Sequence, residues 1–179
     1  MIRTLIQDVL LAMLLGVVAV VMFILPSVNP AAQEDPMSQP GNLVVSAAWP
    51  AGNIDVDLWV QFGNEQAVGY SNKSGRVFSL LRDDLGTSND LSDLNYESAF
   101  TRGLPDGEYA VNVRCYGCLA PPVPVSVEIR LADGGLVWKG VVTLVTDKQE
   151  RTALRWKMKD GAVVTGSASN VFKEMKRSG

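Results

Sequence analysis

Residues 54–62 read IDVDLWVQF, and their alternation decides the fold class. Ile54, Val56, Leu58, Val60 and Phe62 point one way, while Asp55, Asp57, Trp59 and Gln61 point the other. A period of two held across the whole run is the mark of a strand with one face buried. The pattern recurs on both sides. Leu43 to Trp49 is rich in strand formers, and Val77 to Leu81 is a short strand closed by Arg82-Asp83-Asp84. Tyr109, Val111 and Val113 alternate with Ala110, Asn112 and Arg114. Val123 to Leu131 turns Val125, Val127 and Ile129 inward, and Leu136 to Val145 and Arg151 to Met158 complete the set. Pro105-Asp106-Gly107, Ala132-Asp133-Gly134-Gly135 and Asp147-Lys148 are turn signals between them, and Gly86 to Asp93 reads as a loop. Roughly eight short strands without a helical period predict a mainly β fold: an antiparallel β-sandwich, immunoglobulin-like or jelly-roll-like. Trp49, Trp59, Trp138, Trp156 and Phe62 supply bulk for its core or rim. After Asp160 the strand pattern stops, and Asn170 to Lys176 reads either as a short helix or as an unstructured tail.

Upstream of the strands the chemistry changes. Val9 to Leu25 reads VLLAMLLGVVAVVMFIL, with no polar side chain. At about 1.5 Å per residue this run covers roughly 26 Å, close to the hydrocarbon thickness of a bilayer. Ile2, Leu5 and Ile6 extend it backwards, so a helix beginning before Asp8 and ended by Pro26 and Pro30 is expected. A cleaved signal peptide is the rival reading. The run is long for one, and no small-x-small cleavage site follows it, so the anchor reading is preferred. Arg3 precedes the helix, and Glu34 and Asp35 follow it. The positive-inside tendency then leaves the N-terminus cytoplasmic and the rest of the chain exported. The expected organisation is a transmembrane helix at 1–26, a Pro-rich linker at 27–41, a periplasmic β-sandwich at 42–160 and a tail at 161–179.

Asp8 stands one to two turns inside the expected helix, where a carboxylate is expensive. At about 100° per residue, Ala12, Gly16 and Ala19 fall within about 80° of its direction. One acid and three small residues therefore share a face. Small residues let a second helix approach closely, and the acid would then face that partner. The plainer alternative is an Asp at headgroup level.

The 179-residue chain carries a net charge of −3, and nothing in it marks a nucleic-acid binder. It has no histidine, which removes Ser-His-Asp and Cys-His catalysis and every His-containing zinc site. No nucleophile motif or Gly-rich phosphate loop is present, so the reading is non-enzymatic. Asp55 and Asp57 share a strand face about 6.5 to 7 Å apart. With Asp83 and Asp84, or Asn89 and Asp90, they are candidate ligands of an all-oxygen calcium site. The preferred alternative has these side chains holding loop backbone amides. A glycosidase-like acid pair has no cleft to serve it. Cys115-Tyr116-Gly117-Cys118 is a CxxC flanked by strand and proline. A redox dithiol normally caps a helix, so a local disulfide is expected.

Two resemblances follow from these residues. Trp49-Pro50, Asp55-Val56-Asp57-Leu58-Trp59-Val60, Arg82-Asp83-Asp84-Leu85-Gly86, Gly107-Glu108-Tyr109 and the Pro122 to Val127 strand resemble an uncharacterised group of bacterial membrane-anchored proteins. Their exported domain is similar to the YfaP-like β-sandwich domain. That resemblance implies the fold over about residues 43 to 156 and no activity. The acid at the start of a single helix, with a domain beyond it, looks like the MotB, TolR and ExbD type of ion-driven motor subunit. It implies an ion-carrying role for Asp8 and a multi-pass partner of the MotA, TolQ or ExbB type. It also implies a homodimer or higher oligomer in the inner membrane. The chain lacks the OmpA-like domain of MotB and the small α/β domain of TolR and ExbD. Two functions are therefore weighed: a subunit whose helix docks with a partner, and a tethered periplasmic module binding a glycan, a protein or calcium.

Overall fold

The computed structural model of the chain describes residues 2–28, 41–84, 94–118 and 121–175. The chain divides into two compact units, Met1–Ser38 and Gln39–Gly179.

The first unit is one helix, α1, Ile2–Val28. Leucine, alanine and methionine favour the helical backbone, and no charged residue interrupts the run between Asp8 and Val28. Residues 2–24 are all exposed within this unit. The helix is long and apolar enough to cross a membrane once. It runs past Pro26 instead of stopping there. In the last turn a proline removes one intrahelical donor, and the remaining bonds carry the helix on to Val28. Most of the 27–41 linker lies outside the described residues.

The second unit is a two-sheet antiparallel sandwich. Its strands are β1 Leu43–Trp49, β2 Ile54–Phe62, β3 Phe78–Arg82, β4 Asn95–Thr101, β5 Gly107–Cys118, β6 Val123–Leu131, β7 Leu136–Leu144, β8 Glu150–Lys159 and β9 Ala162–Val163. The order is β3-β4-β1-β6-β7 in one sheet and β2-β5-β8-β9 in the other. The inward residues of the alternating strands meet in one core, among them Val45, Leu58, Val111, Val127, Ile129 and Trp156. Tyr109 stacks on Trp156 with ring centroids 5.3 Å apart, and its hydroxyl donates to Pro105 O at 2.8 Å.

Four features depart from the sequence reading. β4, absent from it, pairs with both β1 and β3. β3 begins and ends one residue later than expected. The outer faces of β2 and β5 are buried too: Trp59, Ala110 and Asn112 are all 0% exposed. The segment after Asp160 covers them. Through Met175 it forms no helix; it runs along the sheet, exchanging backbone hydrogen bonds between Arg155 and Ser169. Lys173 Nζ reaches Glu108 at 2.7 Å and Gly63 O at 2.8 Å. Met175 packs with Trp59, Ala67 and Ala110.

The β2–β5 pairing carries a bulge. Asp55 pairs with Gly117 and Val56 with Cys115, so Tyr116 has no partner in the register. A bulge of this kind bends the strand and re-aims the extra side chain.

Candidate functional site

The bulge builds a small pocket at the start of β2. Asp55, Asp57, Tyr70, Asp83 and Tyr116 line a cavity of about 180 Å³. Four chain segments supply it. β2 gives the two aspartates from one face. The β5 bulge presents Tyr116. Asp83 follows the end of β3. Tyr70 sits at the tip of a tight turn, where Gly69 and Asn72 exchange backbone hydrogen bonds at 3.0 and 3.1 Å. Gly69 is required there, because a Cβ would fall 2.5 Å from the Trp59 ring. Trp59 supports Tyr70 edge-on at 5.3 Å, and Tyr70 meets Tyr116 edge-on at 5.6 Å.

The electrostatics are lopsided. Asp57 is 4% exposed, and its Oδ2 has no hydrogen-bond partner among the described residues. Burial and the neighbouring Asp55 charge push its carboxyl up to about 7, against the opposing pull of Arg114 and the Trp59 indole. Burial, then Asp83 and Asp84, raise Asp55 as well, although Lys148 opposes them. Asp83 pairs with Lys73 at 3.0 Å. Lys148 places its ammonium 4.3 Å from the centroid of the Tyr116 ring. The cations nearby thus fall short of offsetting burial and repulsion among the acids.

Behind the pocket stands Glu97, an acid the sequence reading passed over. It is 1% exposed. Its Oε2 accepts the Leu58 N–H at 2.6 Å, and its Oε1 accepts the Asp84 N–H at 3.4 Å. Glu97 lies on β4 and Leu58 on β2, so one carboxyl ties the two sheets together at an edge where β2 has no strand partner. Burial raises Glu97 to about 9, with Asp57 and Asp83 adding to the rise and the two N–H donors opposing it.

The expected calcium ligands divide. Asp55, Asp57 and Asp83 come together. Asp84 does not line the pocket; its Oδ2 accepts the Tyr96 N–H at 3.1 Å and pairs with Arg82 at 3.1 Å. That is the backbone-holding role weighed against calcium. Asn89 and Asp90 lie outside the described residues. Among the described residues, no group of three or more acids or thiols is close enough to hold a metal ion. Cys115 and Cys118 form the local disulfide, and Asp147 Oδ1 accepts the Cys118 N–H beside it at 3.1 Å. A larger open groove of about 580 Å³ runs along β3, but Arg82 and Asp83 on its wall are already paired.

In the helix unit, Asp8, Ala12, Gly16 and Ala19 are exposed, and nothing lies within 4 Å of where a Gly16 Cβ would be. Tyr70 and Tyr116 were not singled out by sequence. Their one visible signal is the position of Tyr116 between the two cysteines. Comparison of the chain with known protein families, with curated proteins and with solved structures finds no match.

Proposed function

We propose that the chain is a single-pass inner-membrane protein whose helix tethers a periplasmic β-sandwich that works as a binding module. The carrying observation is the division of labour in the chain. The helix keeps all its described side chains outward, and the β unit closes a complete core of its own. The described helix residues are exposed within their own unit, so their apolar surface is there for lipid or for other helices. The Cys115–Cys118 disulfide supports export, because such bonds persist in oxidising compartments. Arg3, in the first turn of α1 and before its apolar run, supports a cytoplasmic N-terminus. Alkaline carbonate extraction tests the reading. The full chain should stay in the membrane pellet. A chain lacking residues 2–26 and exported by a cleavable signal should be soluble, with an unchanged melting temperature. Release of the full chain, or unfolding of the shortened one, would contradict it.

A second reading gives the helix a partner of the MotA, TolQ or ExbB type. One observation favours it: α1 begins at Ile2, so Asp8 is about 9 Å inside the helix and not ahead of it. A cysteine at Ala12 should then cross-link to a multi-pass protein, and Asp8→Asn should block ion-coupled work while leaving that cross-link intact. Identical activity in the Asn variant would remove the ion-carrying role.

A further inference from the structure

We infer that the pocket of Asp55, Asp57, Asp83, Tyr70 and Tyr116 is a recognition site for a primary alkylammonium group, as on a lysine side chain or a small diamine. The inference deepens the binding-module reading by naming what the module binds, and it rests on that reading for its cellular setting.

Three observations converge on this chemistry. The first is the buried acid. Asp57 is almost wholly buried, it lines the cavity, and its Oδ2 lacks a hydrogen-bond partner among the described residues. Only the Trp59 indole and the more distant Arg114 act against the burial of this carboxyl, and a cation held beside it in the cavity would lower that cost. The second is size. The acids are too dispersed to close on a metal ion, and the cavity of about 180 Å³ is several times one water's share of the liquid, ~30 Å³. A bare ion would leave most of it unfilled, whereas an ammonium on a short alkyl stem would not. The third is the wall. Two tyrosine rings line the same cavity, and aromatic faces attract ammonium groups that carboxylates also hold. The protein's own Lys148 already lies over the Tyr116 ring, so that ring accepts an ammonium neighbour.

The surrounding charges do not fill the role. Lys73 is engaged with Asp83, and Arg82 with Asp84. Arg114 pairs in register with Asp57 across the strands, and Lys148 acts on Asp55, yet both aspartates remain raised. Asp84 adds negative charge from behind. A further cation is therefore favoured at this end of the sandwich.

Calorimetric titration of the full chain in detergent micelles at pH 8 tests the proposal. The probes are N-acetyl-lysine methylamide, 1,5-diaminopentane, neutral N-acetylnorleucine methylamide and calcium chloride. Saturable binding of an amine, with none of the norleucine compound, supports the site. Tighter binding of the lysine amide would indicate a polypeptide source, and tighter binding of the diamine a free amine. Asp57→Asn should weaken amine binding at least about tenfold. It should also melt no lower than the parent, because it removes a buried repulsive charge. Tyr116→Ala, at a position 44% exposed, gives a second loss of affinity should the Asn variant fail to fold. Absence of amine binding would overturn the proposal. So would equal binding of the neutral compound, or calcium binding that displaces the amine and depends on Asp57. Each of these results leaves the carbonate extraction unaffected, so the ligand class and the tethering fail separately.

Discussion

At the scale of single residues, the acids at the start of β2 set a pH dependence whose sign is fixed by burial. Asp57 rises from 3.8 to about 7 and Glu97 from 4.5 to about 9. Below their ordinary range both are protonated in the folded and the unfolded chain. As pH rises through that range, the unfolded chain releases protons that the folded chain keeps. Stability therefore falls up to about pH 7 through Asp57 and up to about pH 9 through Glu97. The melting temperature should drop steadily between pH 5 and pH 8.5 in thermal scans. Glu97→Gln should flatten the part of that slope above pH 7, and an unchanged slope would show that Glu97 is not its source. Asp55 and Asp57 were legible in the sequence because strand alternation alone places them on one face. Glu97 was not. A glutamate between Tyr96 and Ser98 reads as a surface residue until the opposite sheet supplies the Leu58 N–H that it caps.

At the scale of elements, the C-terminal segment supports the pocket from behind. Met175 packs on Trp59, and Trp59 braces Tyr70. Met175→Ala should cost about 2 kcal/mol in denaturant unfolding and should also weaken amine binding by loosening Tyr70. Loss of stability with unchanged binding would uncouple the segment from the pocket. Lys173 and Arg155 clamp Glu108, whose carboxyl they hold below its ordinary value despite partial burial. Lys173→Ala should destabilise by about 1 kcal/mol, since the contact is partly solvent-screened. Strands with clean alternation were readable: β1, β2 and β6 match their expected limits. β4 was missed because NYESAFT mixes polar and small residues, and its buried Asn95, Glu97 and Ser98 find partners only in the assembled sheet. The tail was misread for a related reason. Its extended course is set by the outer face of the sheet and not by any period of its own.

At the scale of the whole molecule, the chain combines an apolar helix, exposed at residues 2–24, and a β-sandwich with a closed core. The architecture was legible because hydrophobicity is segregated along the chain: continuous from Val9 to Leu25 and alternating after residue 42. The pocket was only half legible. Its acids lie on one strand and one loop, but its tyrosines arrive through a bulge and a turn, which no local pattern announces. The central claim is that the helix stays attached and holds the sandwich outside the cytoplasm. A specific protease site placed within residues 29–40 tests it most directly, with protease added to intact spheroplasts. The account predicts that the folded β domain is released into the medium while the helix stays with the membrane. A domain that remains protected until the cells are lysed, or a chain already shed before protease is added, would contradict it.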